Sequence, residues 1–227
     1  MWTIPRMWDG GQCIIIGGGA SVPRQFGVPE DVIQKVFKGE LTPSAYSPYM
    51  ESIHSQHIIA VNMAYRLGDW VDCVFFGDDS FYKNNLQSLV QYKGLRVTCA
   101  QRVPQTGGVF KVVERDAKKK YGVSFNENHV AWNGHSGGSA INLAVHFGVN
   151  RIILLGFDMS LDGDKNQHWH KFYPTKNKMS PLSVMQRHMK GYPTISTDLK
   201  GKVEVINCSP NSAITVFPKL NFKDIRL

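Results

Sequence analysis

The stretch Cys13-Ile14-Ile15-Ile16-Gly17-Gly18-Gly19-Ala20-Ser21 decides the fold. Four consecutive apolar residues are too few for a buried helix and fit a strand covered on both faces. The glycines after them mark a tight turn at the strand's carboxyl end. The same grammar repeats downstream. His57-Ile58-Ile59-Ala60-Val61 is a second strand ended by Asn62, and Asp72–Phe76 is a third, ended by Gly77-Asp78-Asp79. Leu95–Ala100, Arg151–Gly156 and Val203–Asn207 complete the set.

Helical patterns alternate with these runs. Pro29–Lys38 places Val32, Ile33 and Val36 on one face and stops at Gly39, and Ser80–Tyr92 follows the third strand. Ala140, Leu143, Ala144 and Phe147 keep helical spacing up to Gly148, and 179–190 forms another helix after a long polar loop. The stretch 101–130 reads as short strands and a surface excursion. Strands alternating with helices predict a single Rossmann-like (GT-A-like) α/β domain over 1–227, its mainly parallel sheet covered by helices on both faces. The segments 40–55 and 159–180 read as lids or active-site loops.

The chain has 227 residues, 42% hydrophobic and 19% charged, which excludes disordered and collagen-like classes. Its net charge of +8 is uneven: ten of the 26 basic residues but three of the 18 acidic ones lie from Lys171 onward. An anionic partner or a plain solvated surface explains that surplus. The four cysteines form no C-x-x-C pair, which argues against a zinc knuckle and for reduced thiols in a cytoplasmic protein. No apolar run approaches a membrane span, and no signal-peptide pattern opens the chain, so membrane insertion and secretion are not expected.

In such sheets ligands bind beyond the carboxyl ends of the strands, and the residues placed there are the candidates. Gly17, Gly18 and Gly19 let backbone approach a phosphate closely or adopt positive φ; a plain turn is the alternative. Ser136, Gly137 and Gly138 open a helix whose amides favour anions, or else cap and pack it. Asn62 suits a base or ribose, or a turn. Asp78 and Asp79 suit a divalent cation on a diphosphate, or a helix cap. Asp158 follows the strongest strand and is read as facing the ligand. Asp158, Asp162 and Asp164 lack the spacing of a calcium loop. His168 and His170, two apart in an extended segment, point the same way and suit a general base or metal ligands. His188 falls within a helical pattern and is read as structural.

Together these residues resemble a family. Ile16-Gly17-Gly18-Gly19-Ala20-Ser21, Val61-Asn62, Phe75-Phe76-Gly77-Asp78, Ser136-Gly137-Gly138-Ser139-Ala140 and Leu154-Leu155-Gly156-Phe157-Asp158-Met159 resemble the superfamily of 6-hydroxymethylpterin diphosphokinase-like proteins and single-domain bacterial sialyltransferase-like glycosyltransferases. Small bacteriophage proteins share the pattern, His-Trp-His included. The resemblance implies a nucleotide-sugar donor of CMP, UDP or GDP type, held by Gly18, Ser21, Asn62, Ser136 and Gly137. His168 or His170 would be the base and Asp158 would shape the sugar site, with Mg²⁺ or Mn²⁺ open. Tyrosines expected near the leaving phosphate have one candidate, Tyr173.

The expected activity is therefore a nucleotide-dependent transferase, a glycosyltransferase acting on a hydroxyl acceptor, such as hydroxymethyl bases of phage DNA or another anionic acceptor. A Mg-ATP-dependent diphosphokinase with Asp78 and Asp158 on the metal is the alternative; so is a non-catalytic nucleotide- or DNA-binding protein. A scarcity of Lys and Arg near the strand ends weighs against the kinase.

Overall fold

The structure, a computed structural model, describes residues 2–104, 108–172 and 180–227. Its first strand is the opening stretch, β1 (Gln12–Ile16), followed by a short helix α1 (Val22–Gln25) and α2 (Glu30–Lys38). Then come β2 (His57–Val61), β3 (Cys73–Phe76), α3 (Asp79–Gln91), β4 (Leu95–Thr98) and β5 (Lys111–Val112). A separate two-stranded ladder joins β6 (Glu114–Arg115) to β7 (His129–Val130). The chain continues through α4 (Ser136–His146), β8 (Arg151–Leu155), α5 (Pro181–Met189), α6 (Tyr192–Leu199) and β9 (Glu204–Asn207).

Seven strands form one sheet in the order β5-β4-β3-β2-β1-β8-β9. Every pairing in it is parallel. Ile16 lies between Ala60 of β2 and Leu155 of β8, so β1 is central and the strand order reverses beside it. That reversal opens the ligand crevice of doubly wound sheets at the ends of β1 and β8.

Alternation sends β1 side chains to two cores. Ile14 and Ile16 join Ile58, Val74 and Phe76 under α2 and α3. Cys13 and Ile15 join Ile59, Phe75 and Leu154 under α4 and α6. Both faces are covered, which is why the strands read as continuous apolar runs. Each fully buried Ile contributes about 1.5–3 kcal/mol of apolar transfer. At the sheet's ends, β5 has two residues and β9 is flanked by a bridge from Asn207 to Lys219.

The segment expected as a loop over 40–55 is instead a 3₁₀ helix, Pro43–Ile53, with Tyr46, Met50 and Ile53 fully buried against α2. It is part of the sheet's cover. The sequence pattern predicts no helix where α6 lies. Pro193 sits in its first turn, where a missing N–H has no intrahelical partner to lose. All four cysteines are free and buried. Among the described residues no helix is long and apolar enough to cross a membrane.

Candidate functional site

The Gly-rich turn leaves β1 at the point where strand order reverses. None of Gly17, Gly18 and Gly19 has positive φ, so their requirement is space rather than handedness. The space is claimed by the chain itself. A Cβ on Gly17 would lie 2.6 Å from the Gly156 carbonyl oxygen, and one on Gly19 would lie 2.6 Å from the Asp158 carboxyl. A Cβ on Gly18 would meet His168 Nδ1 at 2.9 Å.

Asp158 is nearly buried, and both its oxygens accept from Ser21: the backbone N–H at 2.9 Å and the hydroxyl at 2.6 Å. Burial raises its carboxyl pKa while bonds from Ser21 and Ser209 oppose that rise. This geometry ties Asp158 and Ser21 to holding the turn. It differs from the expectation that Asp158 faces a sugar and Ser21 a donor.

The segment His168-Trp169-His170 docks on this turn. His168 bridges Gly19 in antiparallel fashion, and the Trp169 backbone N–H donates to the Gly18 carbonyl at 3.1 Å. The Trp169 indole is buried, donates to the Gly17 carbonyl at 3.2 Å and packs edge-on against Tyr46. Its flanking imidazoles stack on the same side, with centroids 5.4 Å apart and planes 8° apart. The expected common orientation is therefore present.

Their tautomers follow from their partners. A carbonyl only accepts, so His168 Nδ1 carries the proton it shares with Gly18 at 3.3 Å, and Nε2 is the basic nitrogen. His170 Nδ1 accepts from the Phe172 backbone N–H at 3.2 Å, so its proton sits on Nε2. Burial pushes His168 down to about 4. Burial, then His168 and Arg66, hold His170 well below the ordinary range. Both are neutral at pH 7, and His168 keeps partial surface exposure.

Two further histidines join them. His135 caps α4, accepting from the Gly138 N–H at 3.2 Å, and its ring lies 4.8 Å from that of His188 on α5. Burial and the neighbouring imidazole lower His135; burial, then Arg187 and His168, bring His188 to about 4. His188 lies in α5, as its helical pattern predicts, with its ring packed against that of His135. The α4 N-terminus is closed. Ser136, Gly137 and Gly138 are all buried, and the Ser136 hydroxyl accepts from the Gly77 N–H at 3.1 Å. A Cβ on Gly137 would meet Phe157 at 3.0 Å, and one on Gly138 would meet Asn133 at 2.6 Å. The expected donor-binding Ser136 fastens α4 to the end of β3 instead.

Asn62 ends β2 in a left-handed conformation (φ 52°), and its buried Oδ1 has no hydrogen-bond partner among the described residues. An unsatisfied buried acceptor costs about 1–3 kcal/mol, and strained backbone clusters at ligand sites. Asp78 and Asp79 diverge. Asp79 accepts from the Arg102 N–H at 2.9 Å, while Asp78 is exposed and lies in the field of Arg115 and Arg187. The protein around Asp78 raises its carboxyl, and the two guanidiniums oppose that. As a cation site this pair does not fit, and no cluster of three or more metal-ligating side chains occurs among the described residues.

Arg115 and Arg187 also correct the expected scarcity of basic groups at the strand ends. Arg115 donates to the Gly77 carbonyl at 2.6 Å and stacks on Trp132 at 3.8 Å. Two lysines of the basic last quarter cover aromatic rings, Lys171 over Phe37 and Lys202 over Phe125, while Lys176 and Lys178 lie outside the described residues. Lys219 turns inward to the Ser212 carbonyl. Tyr173 lies outside the described residues.

A small cavity of about 10 Å³ lies beside His168 and Trp169, lined also by Ala20, Arg24, Ile33 and Phe37. A groove of about 490 Å³ lies elsewhere, against Gly10, Asn150 and Val203, which precede β1, β8 and β9 at the opposite edge.

No family model matches the sequence. No curated protein matches it either. Among solved structures the chain is similar to the MAf glycosyltransferase from Magnetospirillum magneticum AMB-1, with a TM-score of 0.63 at 12% identity. That match covers 100% of this chain and 36% of the other, so the chain spans about a third of that protein. It also resembles the Campylobacter jejuni sialyltransferase CstII in complex with cytidine-5'-monophosphate (TM-score 0.48, 15% identity, 93% of this chain and 85% of that one). The complex of CstII with CMP-3FNeuAc gives 0.48 at 16% identity, over 92% and 86%. The α/β architecture is thus shared with a glycosyltransferase.

Proposed function

We propose that this chain is a nucleotide-sugar glycosyltransferase unit in which His168 is the general base. The reading is carried by one observation: His168 donates Nδ1–H to the Gly18 carbonyl at the strand-order reversal, leaving Nε2 as the basic nitrogen there. The fold shared with the MAf glycosyltransferase supports it. Nε2 takes the proton of an acceptor hydroxyl as its oxygen attacks the anomeric carbon of the donor. The bond from that carbon to the nucleotide phosphate breaks, and the nucleotide leaves.

Gly18, the half-buried member of the turn, and Asn62, with its unsatisfied Oδ1, hold the donor in this scheme. Gly17, Gly19, Ser21, Asp158 and the 136–138 helix start support these contacts from behind. A CMP, UDP or GDP donor follows the sequence resemblance. A hydroxymethyl base of DNA is one acceptor to test.

A thermal-shift screen of nucleotides and nucleotide sugars, with and without Mg²⁺, tests the reading. Stabilisation by a CMP, UDP or GDP species is expected, and turnover lost in His168→Gln with nucleotide binding kept. Stabilisation by Mg-ATP alone, abolished by EDTA, would replace the reading with diphosphoryl transfer. Binding without turnover in any acceptor screen would leave a nucleotide-binding protein, and no response at all would overturn the proposal.

A further inference from the structure

The reaction proposed above leaves negative charge on the departing nucleotide, and no residue in that scheme answers it; this inference rests on that reading. We propose that Arg187 is a further catalytic residue, the cation that receives the phosphate of the departing nucleotide. As the bond to the anomeric carbon breaks, its electron pair stays on the phosphate oxygen, while the acceptor's proton goes to His168. Charge that grows on the phosphate is stabilised by a positive group already in place beside it.

The neighbours of Arg187 place it at that edge. It lies in the last turn of α5, whose His188 ring packs 4.8 Å from that of His135 at the start of α4. Its guanidinium acts electrostatically on Asp78 at the end of β3, on His135 and on His188. His188 is in turn within reach of His168. The cation therefore stands over the carboxyl ends of the strands, on the same side as the proposed base.

It is also uncommitted. Arg115 gives its donors to the Gly77 and Cys99 carbonyls, Arg102 pairs with Asp79, and Lys119 pairs with Asp198. The Arg187 side chain is exposed and makes no hydrogen bond or ion pair among the described residues, Asp78 included. A guanidinium keeps its charge at any working pH, and its paired N–H groups match two oxygens of one phosphate.

Nucleosides titrated against their own nucleotides test this without an acceptor. Cytidine and CMP, uridine and UDP, and guanosine and GDP are titrated by calorimetry into the native chain, Arg187→Gln, Arg187→Lys and Lys38→Gln. For the pair that the native chain binds, Arg187→Gln is expected to weaken the nucleotide roughly ten- to a hundredfold, the worth of a charge-assisted hydrogen bond. The nucleoside is expected to bind as it does to the native chain. Arg187→Lys keeps the charge without the fork and is expected to fall between. Lys38→Gln removes an equal charge from the exposed end of α2 and is expected to change neither ligand.

Because Arg187 is exposed, Arg187→Gln is expected to keep the native thermal midpoint. Unchanged nucleotide affinity in Arg187→Gln, or a loss shared equally by the nucleoside, would overturn the proposal and leave the glycosyltransferase reading standing. A native chain that binds none of these ligands would overturn both. In turnover, Arg187→Gln is expected to lower kcat by a larger factor than it raises donor KM, since the phosphate charge is greatest in the transition state. A rise in KM with kcat held would also overturn it.

Discussion

Replacing Gly19 by alanine separates two reasons for a glycine-rich turn. If the glycines exist to admit a ligand, an added methyl mainly harms binding. If they exist because the protein's own atoms fill the space, it harms folding. The geometry favours the second for Gly19. Its Cβ would sit 2.6 Å from the Asp158 carboxyl and 2.7 Å from the Gly156 carbonyl oxygen. Neither can withdraw: Asp158 is held by Ser21, and Gly156 accepts the Gly19 N–H at 3.0 Å. Overpacking against rigid atoms costs about 3 kcal/mol, at the upper end of the usual range. In a chain of this size that is about 6–12 °C in Tm.

Gly18→Ala meets the His168 ring first, at 2.9 Å from Nδ1, rather than backbone, and a smaller loss than at Gly19, about 1 kcal/mol, is expected. Gly163→Ala, with nothing within 4 Å, is the control, within about 0.5 kcal/mol of the native chain. Adding Asp158→Ala to Gly19→Ala relieves one of the two clashes, so the combined loss is expected to be less than the sum of the separate losses. Denaturant unfolding of the native chain and these five variants, Asp158→Ala alone included, measures all of this. A Gly19→Ala chain as stable as the native one would refute the argument that the turn is packed from within.

Two further outcomes are expected. Ser136→Ala leaves the buried Gly77 N–H without its acceptor and is expected to lower stability by about 1–3 kcal/mol; an unchanged denaturation midpoint with a lost nucleotide response would instead make Ser136 a ligand contact. Because His168 and His188 are pushed down to about 4, the folded state holds fewer protons than the unfolded chain between that pH and about 6.5. Their contribution is complete above 6.5 and is lost as pH falls toward 4, so the denaturation midpoint is expected to drop across that window and less steeply in His188→Gln. Asp158, raised by burial, works in the opposite sense, favouring the folded state as pH falls below its folded pKa. A flat profile, identical in His188→Gln, would contradict the burial of these imidazoles.

The sheet was legible because buried parallel strands leave continuous apolar runs, and β1, β2, β3 and β8 all do. The 3₁₀ helix at Pro43–Ile53 was not, since Pro48 and its serines imitate a loop while the deciding fact is tertiary: Tyr46, Met50 and Ile53 are buried. For the site, position along the chain identified which residues reach the carboxyl edge. It could not identify their partners. Ser21 and Asp158 are 137 residues apart, and Ser136 meets the end of β3 across 59. Arg115 and Arg187 reach the strand ends from elements with no sequence link to them, so counting charges near each turn missed them. The cap His135 makes to Gly138 lies one residue ahead of the 136–138 helix start that the pattern singles out.

The two ends of the sheet bear on how copies of this chain can meet. An exposed edge strand offers a row of unpaired backbone groups to any second strand that passes. At one end β5 offers two residues, too short a template for a stable ladder. At the other, the Asn207 N–H already donates to Pro218 and its carbonyl accepts from Leu220. Both margins thus present a short template among the described residues, two residues at β5 and three at β9 ahead of the capped Asn207, and concentration-dependent growth of intermolecular β-structure is expected to be slight while the fold is intact.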